Sequence, residues 1–347
     1  MSWWSDDRDE PYELDESDVR VRPNPKGNRP RTKTRPGHAD AVIGMILAVD
    51  RGRFTVLVDD GLPTARIVSA SRARELGKEA IVTGDRVALV GDVSADDGTL
   101  ARVVRVEPRT TILRRSADDT DAVERVIVAN ADQMLIVVAA ANPEPRVRLV
   151  DRYLVAALDA GLTPILCITK TDLADPSTFL ANFTGLEFAV VTSRSDDPPL
   201  DELRAMLAGH TTVAVGHSGV GKSTLVNALV PEAQRAIGHV NETTGRGRHT
   251  SSSTLCARVD TGGTSGWLID TPGVRSFGLG HVNPNNILRA FTDLDRIGQT
   301  CPRGCTHLPD APDCAIAEAV AAGALGASGA ARLDSLHRLL VTFSTAP

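Results

Sequence analysis

One eight-residue segment, Gly216 to Ser223, constrains the fold more than any other part of the sequence. It reads GHSGVGKS and follows the apolar run TVAV, and its last two residues begin KSTLVNALV, which has helical spacing. A glycine-rich turn between a strand and a helix points successive backbone N–H groups at a phosphate. Lys222 can neutralise β- and γ-phosphate oxygens, and the Ser223 hydroxyl can reach Mg²⁺. The predicted residues of this phosphate-binding loop (P-loop) are Gly216, His217, Ser218, Gly219, Val220, Gly221, Lys222, Ser223 and Thr224, with Lys222 also assigned to catalysis.

Apolar runs and helical patterns alternate around the P-loop. The runs QMLIVVAA, TPILCITK, FAVVTS and GWLID are typical of buried strands, and the segments between several of them have the apolar spacing of helices. Strand, helix, strand in this order forms a parallel pair with a helical crossover. The pattern therefore predicts an α/β domain with a doubly wound sheet over residues 116–280.

Two more motifs end predicted strands of this domain. DTPG matches D-x-x-G, in which Asp270 can hold Mg²⁺ through water and the Gly273 N–H meets the γ-phosphate. Thr169-Lys170-Thr171-Asp172 resembles the N-K-x-D motif of GTPases. Asp172 can accept hydrogen bonds from guanine N1–H and the exocyclic amine, and the Lys170 stem can pack along the base. Thr169 replaces the usual Asn and leaves a hydroxyl to tie this loop to the P-loop. These residues predict binding of GTP and GDP with Mg²⁺.

The order of the motifs indicates a circular permutation. Thr192 and Ser193 follow another strand and resemble the S-A-K loop that meets guanine O6. Both base-recognition segments precede the P-loop, whereas in ordinary GTPases they follow it. A doubly wound sheet tolerates such a change because the strand neighbours are kept and only surface connections are re-routed.

The chain before the α/β domain divides into two parts. Residues 1–38 combine an acidic segment with a basic one rich in Pro and Gly, so we predict a disordered arm, either a solubilising tail or a phosphate-binding arm. Residues 39–115 contain five short runs rich in Val and Ile, separated by Asp-Gly and Gly-Asp turns. Five short strands predict a small barrel, either of the oligonucleotide/oligosaccharide-binding (OB) kind or SH3-like. Arginines on its last strand, including Arg102 and Arg105, form a basic edge or a solvated face.

The remaining residues, 281–347, contain a cysteine cluster and Ala-rich helical segments. Three thiolates and an imidazole form a closed tetrahedral shell typical of structural zinc, and the four candidate ligands are Cys301, Cys305, His307 and Cys314. The N-terminal sequence has no secretory pattern, and no apolar run approaches the ~18 residues of a membrane span. We therefore expect a cytoplasmic protein without a membrane partner, and a helical zinc-binding domain at its C-terminal end.

The segments GHSGVGKST, DTPGVRSFGL, GRGRHTSSS and IVANADQMLIV resemble the circularly permuted ribosome small-subunit-dependent GTPase A family over roughly residues 39–340. The resemblance implies an OB-like barrel, a permuted GTPase domain and a zinc-binding domain. It further implies GTP hydrolysis stimulated by the small (30S) ribosomal subunit, a role in late subunit maturation, and contact with 16S rRNA. We expect a monomer.

The catalytic assignment also depends on this resemblance. Val274 stands where Ras-like enzymes have the Gln that orients the attacking water, and Val cannot hydrogen-bond. The resemblance implies that His249 orients the water and that Thr250 closes over Mg²⁺ and the γ-phosphate. The family usually has four residues between the first two cysteines, and this chain has three. An alternative function is a nucleotide-gated RNA-binding module in which hydrolysis is incidental; a metal-delivery GTPase is a weaker alternative.

Overall fold

The structure is a computed structural model of the 347-residue chain. It describes residues 38–77, 80–96, 98–116, 124–231, 254–271, 277, 279, 282–326 and 328–344. The predicted disordered arm lies outside the described residues, except for its last residue, His38.

Five strands after the arm form a closed barrel. Their order is β1-β2-β3-β5-β4, β4 pairs back onto β1, and β3 and β5 are parallel. Inward side chains such as Ile46, Val56 and Val87 are fully buried, which accounts for the runs rich in Val and Ile. This Greek-key order is that of an OB-like barrel, so the OB prediction is confirmed. The strands are β1 (Val42–Asp50), β2 (Arg53–Val58), β3 (Arg66–Arg72), β4 (Arg86–Val90) and β5 (Ala101–Val106).

The α/β part has five parallel strands in the order β10-β9-β8-β11-β13. Every residue of β8 is buried, as expected for a central parallel strand covered on both faces. The parallel strands are β8 (Gln133–Ala139), β9 (Thr163–Thr169), β10 (Ala189–Thr192), β11 (Thr211–Gly216) and β13 (Gly266–Asp270). The helices are α1 (Val147–Asp159), α2 (Ser177–Leu180), α3 (Leu200–Leu207) and α4 (Lys222–Leu229).

Three further strands lie outside the runs assigned above to the barrel and the α/β domain. β6 (Ile112–Ser116) and β7 (Glu124–Ala129) form an antiparallel hairpin that spans the boundary predicted between residues 115 and 116. β12 (Leu255–Val259) pairs antiparallel with β13 and also reaches β1 of the barrel. The barrel strands and the parallel strands consequently belong to one eleven-stranded sheet.

The C-terminal part is helical, as predicted. Its longest helix packs on α1, where the Arg338 guanidinium contacts the fully buried Asp151 carboxylate at 3.0 Å. Among the described residues, none of the helices combines the length and the apolarity needed to cross a membrane. The helices are α5 (Pro284–Arg289), α6 (Thr292–Gly298), α7 (Ala315–Ala321) and α8 (Gly329–Ser344).

Candidate nucleotide and metal sites

The P-loop connects the end of β11 to the start of α4. Gly219 and Gly221 have φ values of 82° and 89°, a left-handed region that favours glycine. A Cβ at Gly216 would lie 2.6 Å from the carbonyl oxygen of Val137, so only glycine fits there. Val220 is buried and anchors the loop. Four of the other predicted side chains face solvent, namely His217, Ser218, Ser223 and Thr224.

Lys222 and Asp270 form an ion pair at the edge of the sheet where the parallel strands have their carboxyl ends. Lys222 is only 8% exposed, and Asp270 is the last residue of β13. The next residue, Thr271, is buried and donates its hydroxyl to the Ala214 carbonyl at 2.7 Å, which fixes the end of β13 beside the P-loop strand. A carboxylate and the exposed hydroxyl of Ser223 are hard oxygen donors, which fit Mg²⁺. Lys222 is placed to neutralise a bound phosphate.

The predicted base-recognition loop contacts the P-loop directly. The Thr169 hydroxyl donates to the Val220 carbonyl, and the Lys170 ammonium donates to the Gly219 carbonyl at 2.8 Å. Lys170 also donates to the carbonyl of Asn142, in the loop after β8, a contact that the sequence did not indicate. The single hydroxyl of Thr169 therefore makes the link for which the motif ordinarily supplies an Asn.

Asp172 is exposed at the same edge and is held by Ser195. The Ser195 backbone N–H and hydroxyl donate to Asp172 Oδ1 at 2.8 and 3.0 Å. These bonds, of which the backbone bond has the larger effect, hold the pKa of Asp172 below its usual value. The carboxylate is therefore ionised and can accept hydrogen bonds from guanine. Of the two predicted S-A-K-like residues, Thr192 is exposed and Ser193 is buried with its carbonyl accepting from Thr171 N–H. Sequence reasoning missed Ser195.

We expect Ser195→Ala to lower GDP affinity about fivefold, because one of the two donors that orient the Asp172 carboxylate is lost. Fluorescent GDP titration measures this change. Ser195→Thr retains a hydroxyl and should bind GDP like the wild type. Equal GDP affinity of all three proteins would show that Ser195 does not orient Asp172.

The four predicted zinc ligands converge in the C-terminal part. His307 Nδ1 lies 3.7, 3.5 and 3.7 Å from the sulfur atoms of Cys301, Cys305 and Cys314. Around a tetrahedral zinc with ordinary bond lengths, nitrogen and sulfur ligands are about 3.6 Å apart. Burial lowers the pKa of His307, which keeps the imidazole neutral and able to bind a metal. The set fits one structural zinc ion, and Cys301 takes part despite the three-residue spacing.

Three other predicted site residues fall on parts of the chain that the structure does not describe. Their roles remain predictions from the sequence, and the residues are His249, Thr250 and Gly273.

Comparison with known proteins agrees with this geometry. The solved structure of YjeQ from Thermotoga maritima superposes with a TM-score of 0.63, covers 88% of this chain and 100% of that chain, and is 23% identical. YloQ, described as a circularly permuted GTPase, gives 0.60 over 89% and 96%, with 24% identity. Both support the fold and its permutation.

The relatives found by sequence have a higher identity to this chain than these two solved structures. "Small ribosomal subunit biogenesis GTPase RsgA 1" of Vibrio vulnificus (strain YJ016) is 37% identical over 272 residues, 76% of this chain and 74% of that protein. The protein of Chromohalobacter salexigens named "Small ribosomal subunit biogenesis GTPase RsgA" is 37% identical over 274 residues, 77% and 76% of the two chains. The model of the RsgA GTPase family matches residues 106–280, half of the sequence. This chain belongs to the RsgA GTPase family.

Proposed function

We propose that this GTPase acts in biogenesis of the small ribosomal subunit, hydrolysing GTP to GDP and phosphate in a reaction that the subunit stimulates. The observation that carries the proposal is the meeting of the base-recognition loop, the P-loop and Asp270 at one edge of the sheet. The carboxyl ends of parallel strands are where such sheets bind ligands. The relatives named above supply the subunit as the partner.

Different residues bind the base, the phosphates and the metal ion during hydrolysis. Asp172 selects guanine, and the P-loop N–H groups and Lys222 stabilise the phosphate charge. Ser223 and Asp270 would hold a magnesium ion, which would supply further charge neutralisation. Water attacks the γ-phosphorus in line with the leaving GDP. We assign the orientation of this water to His249 and the closure over the γ-phosphate to Thr250.

We further propose that the barrel contacts 16S rRNA. Arg53, Ser71 and Arg102 lie opposite one another across β2, β3 and β5, and both arginines are exposed. Such a row suits the phosphates of an RNA backbone. We also propose that the protein works as a cytoplasmic monomer whose binding partner is the small ribosomal subunit.

Hydrolysis and subunit binding test this function together. We expect GTP turnover to rise strongly with purified 30S subunits and little with 50S subunits. Cosedimentation with 30S should be stronger with a non-hydrolysable GTP analogue than with GDP. Equal turnover with and without subunits, together with nucleotide-dependent binding, would favour the nucleotide-gated RNA-binding module instead.

We expect Arg102→Glu to weaken 30S binding about tenfold and to reduce its salt dependence, because a phosphate contact is replaced by repulsion. Basal GTP hydrolysis should not change. Arg105→Glu on the same strand is the matched control, since Arg105 is already paired with Glu107 at 2.6 Å. Cosedimentation at two salt concentrations measures both effects. Equal losses in the two variants would indicate a general charge effect rather than a contact of Arg102.

A further inference from the structure

Paired strands connect the barrel to Asp270, the residue whose carboxylate we assign to the magnesium ion. Ala48 of β1 lies opposite Leu255 of β12, and Leu255 lies opposite Asp270 of β13. On its other side Asp270 pairs with Ala214 of the P-loop strand. A continuous row of backbone pairs therefore runs from the barrel to Asp270.

The barrel loop before β4 makes a second connection. Thr83 is 2% exposed, and its hydroxyl donates to the carbonyl of Thr254, just before β12, at 3.4 Å. Gly84 has a φ of 88°, and a Cβ there would lie 2.1 Å from the Ala129 carbonyl oxygen. The same Cβ would lie 3.4 Å from Cδ1 of Ile269, the neighbour of Asp270. This loop consequently meets both β12 and β13.

Buried apolar side chains from both parts pack together at this junction. Met45 and Leu47 of the barrel belong to the same buried apolar cluster as Cys256 and Ile269, whereas the barrel interior forms a separate cluster. Next to Gly84, the fully buried Asp85 carboxylate pairs with the Arg109 guanidinium at 2.7 and 2.8 Å. A buried charge is tolerated when it is paired in this way. The loop is therefore held by a buried ion pair as well as by apolar packing.

We propose that Thr83 and Gly84 are positioning residues for Asp270. They hold β12 and β13 in the register that presents the Asp270 carboxylate beside Lys222, and a functional group has to be held within about 0.5 Å of its productive position. The inference rests on the proposed assignment of Asp270 to the magnesium ion. A disturbed junction weakens the Mg²⁺-dependent retention of GDP and leaves guanine recognition by Asp172 unchanged.

The test is the rate of release of a fluorescent GDP analogue, measured from the full-length protein as a function of Mg²⁺ concentration. Thr83→Val removes the hydroxyl donor and Thr83→Ser keeps it. Gly84→Ala introduces the clash, and Gly91→Ala is its control because Gly91 has a φ of 91° with no atom within 4 Å of an added Cβ. Thr83→Val and Gly84→Ala should need about fivefold more Mg²⁺ to slow release. Release in EDTA should match the wild type, and both controls should behave like the wild type.

An unchanged Mg²⁺ requirement in Thr83→Val, with wild-type thermal unfolding, would overturn the proposal even if Gly84→Ala does not fold. Asp270→Asn separates the two assignments. If Asp270→Asn also leaves the Mg²⁺ requirement unchanged, the magnesium role of Asp270 is wrong. If it raises the requirement while Thr83→Val does not, the positioning role alone is wrong.

Discussion

His249→Ala should lose subunit-stimulated GTP hydrolysis by a factor of about 10² or more, the usual effect of removing a group that orients or activates the attacking water. The side chain at position 274 is a valine, so it cannot take over this hydrogen bond. GTP affinity should stay close to wild type because Asp172 and the P-loop provide it. Binding to the 30S subunit should also stay close to wild type, because we assign the rRNA contact to the barrel arginines. Single-turnover hydrolysis with saturating 30S subunits measures the effect.

His210→Ala is the matched control for this experiment. His210 precedes β11, at the opposite end of that strand from the P-loop, and its Nδ1 lies 2.9 Å from the Asp132 carboxylate. Its loss should leave stimulated turnover unchanged. A His249→Ala protein stimulated as strongly as wild type would exclude His249 and indicate that a ribosomal group orients the water.

Cys314→Ser should release the zinc ion and unfold the helices around it, since structural zinc supplies folding free energy of ~10 kcal/mol in small domains. Cys314 lies directly before α7 and is buried with Ile316 in the apolar cluster that also contains Leu336 of α8. Metal analysis should find about one zinc per wild-type chain and much less in the variant, and circular dichroism should show lost helix.

Two comparisons make the zinc result specific. Cys167→Ala changes another buried cysteine, on β9 outside the cluster, and should keep its zinc. GDP binding should survive in Cys314→Ser, because the contacts described for the P-loop are with Thr169, Lys170 and Asp270 of the α/β part. Wild-type protein purified without chelator and free of zinc would remove the metal assignment.

Local motifs in the sequence predicted which of the described residues meet at the nucleotide site and at the cysteine cluster. The P-loop, the Thr169–Asp172 loop and the cysteine cluster each have a spacing that follows from short-range geometry, and neighbouring parallel strands bring their carboxyl ends together. The runs rich in Val and Ile likewise predicted the barrel strands, and the continuous apolar runs predicted the central parallel strands. Even the replacement of Asn by Thr169 led to the expected contact between the two loops.

Tertiary structure decided how these parts are joined. The pairing of Leu255 with Ala48 links strands about two hundred residues apart, and the local pattern of LCARV does not indicate that its partner is a barrel strand. Ser195 reaches Asp172 only because β9 and β10 are neighbours. The local pattern of α1 does not indicate a partner for Asp151, and only the packing of α8 places Arg338 against it. Sequence periodicity specifies which face of an element is buried, but the partner that covers this face is set by long-range packing, which local pattern does not encode.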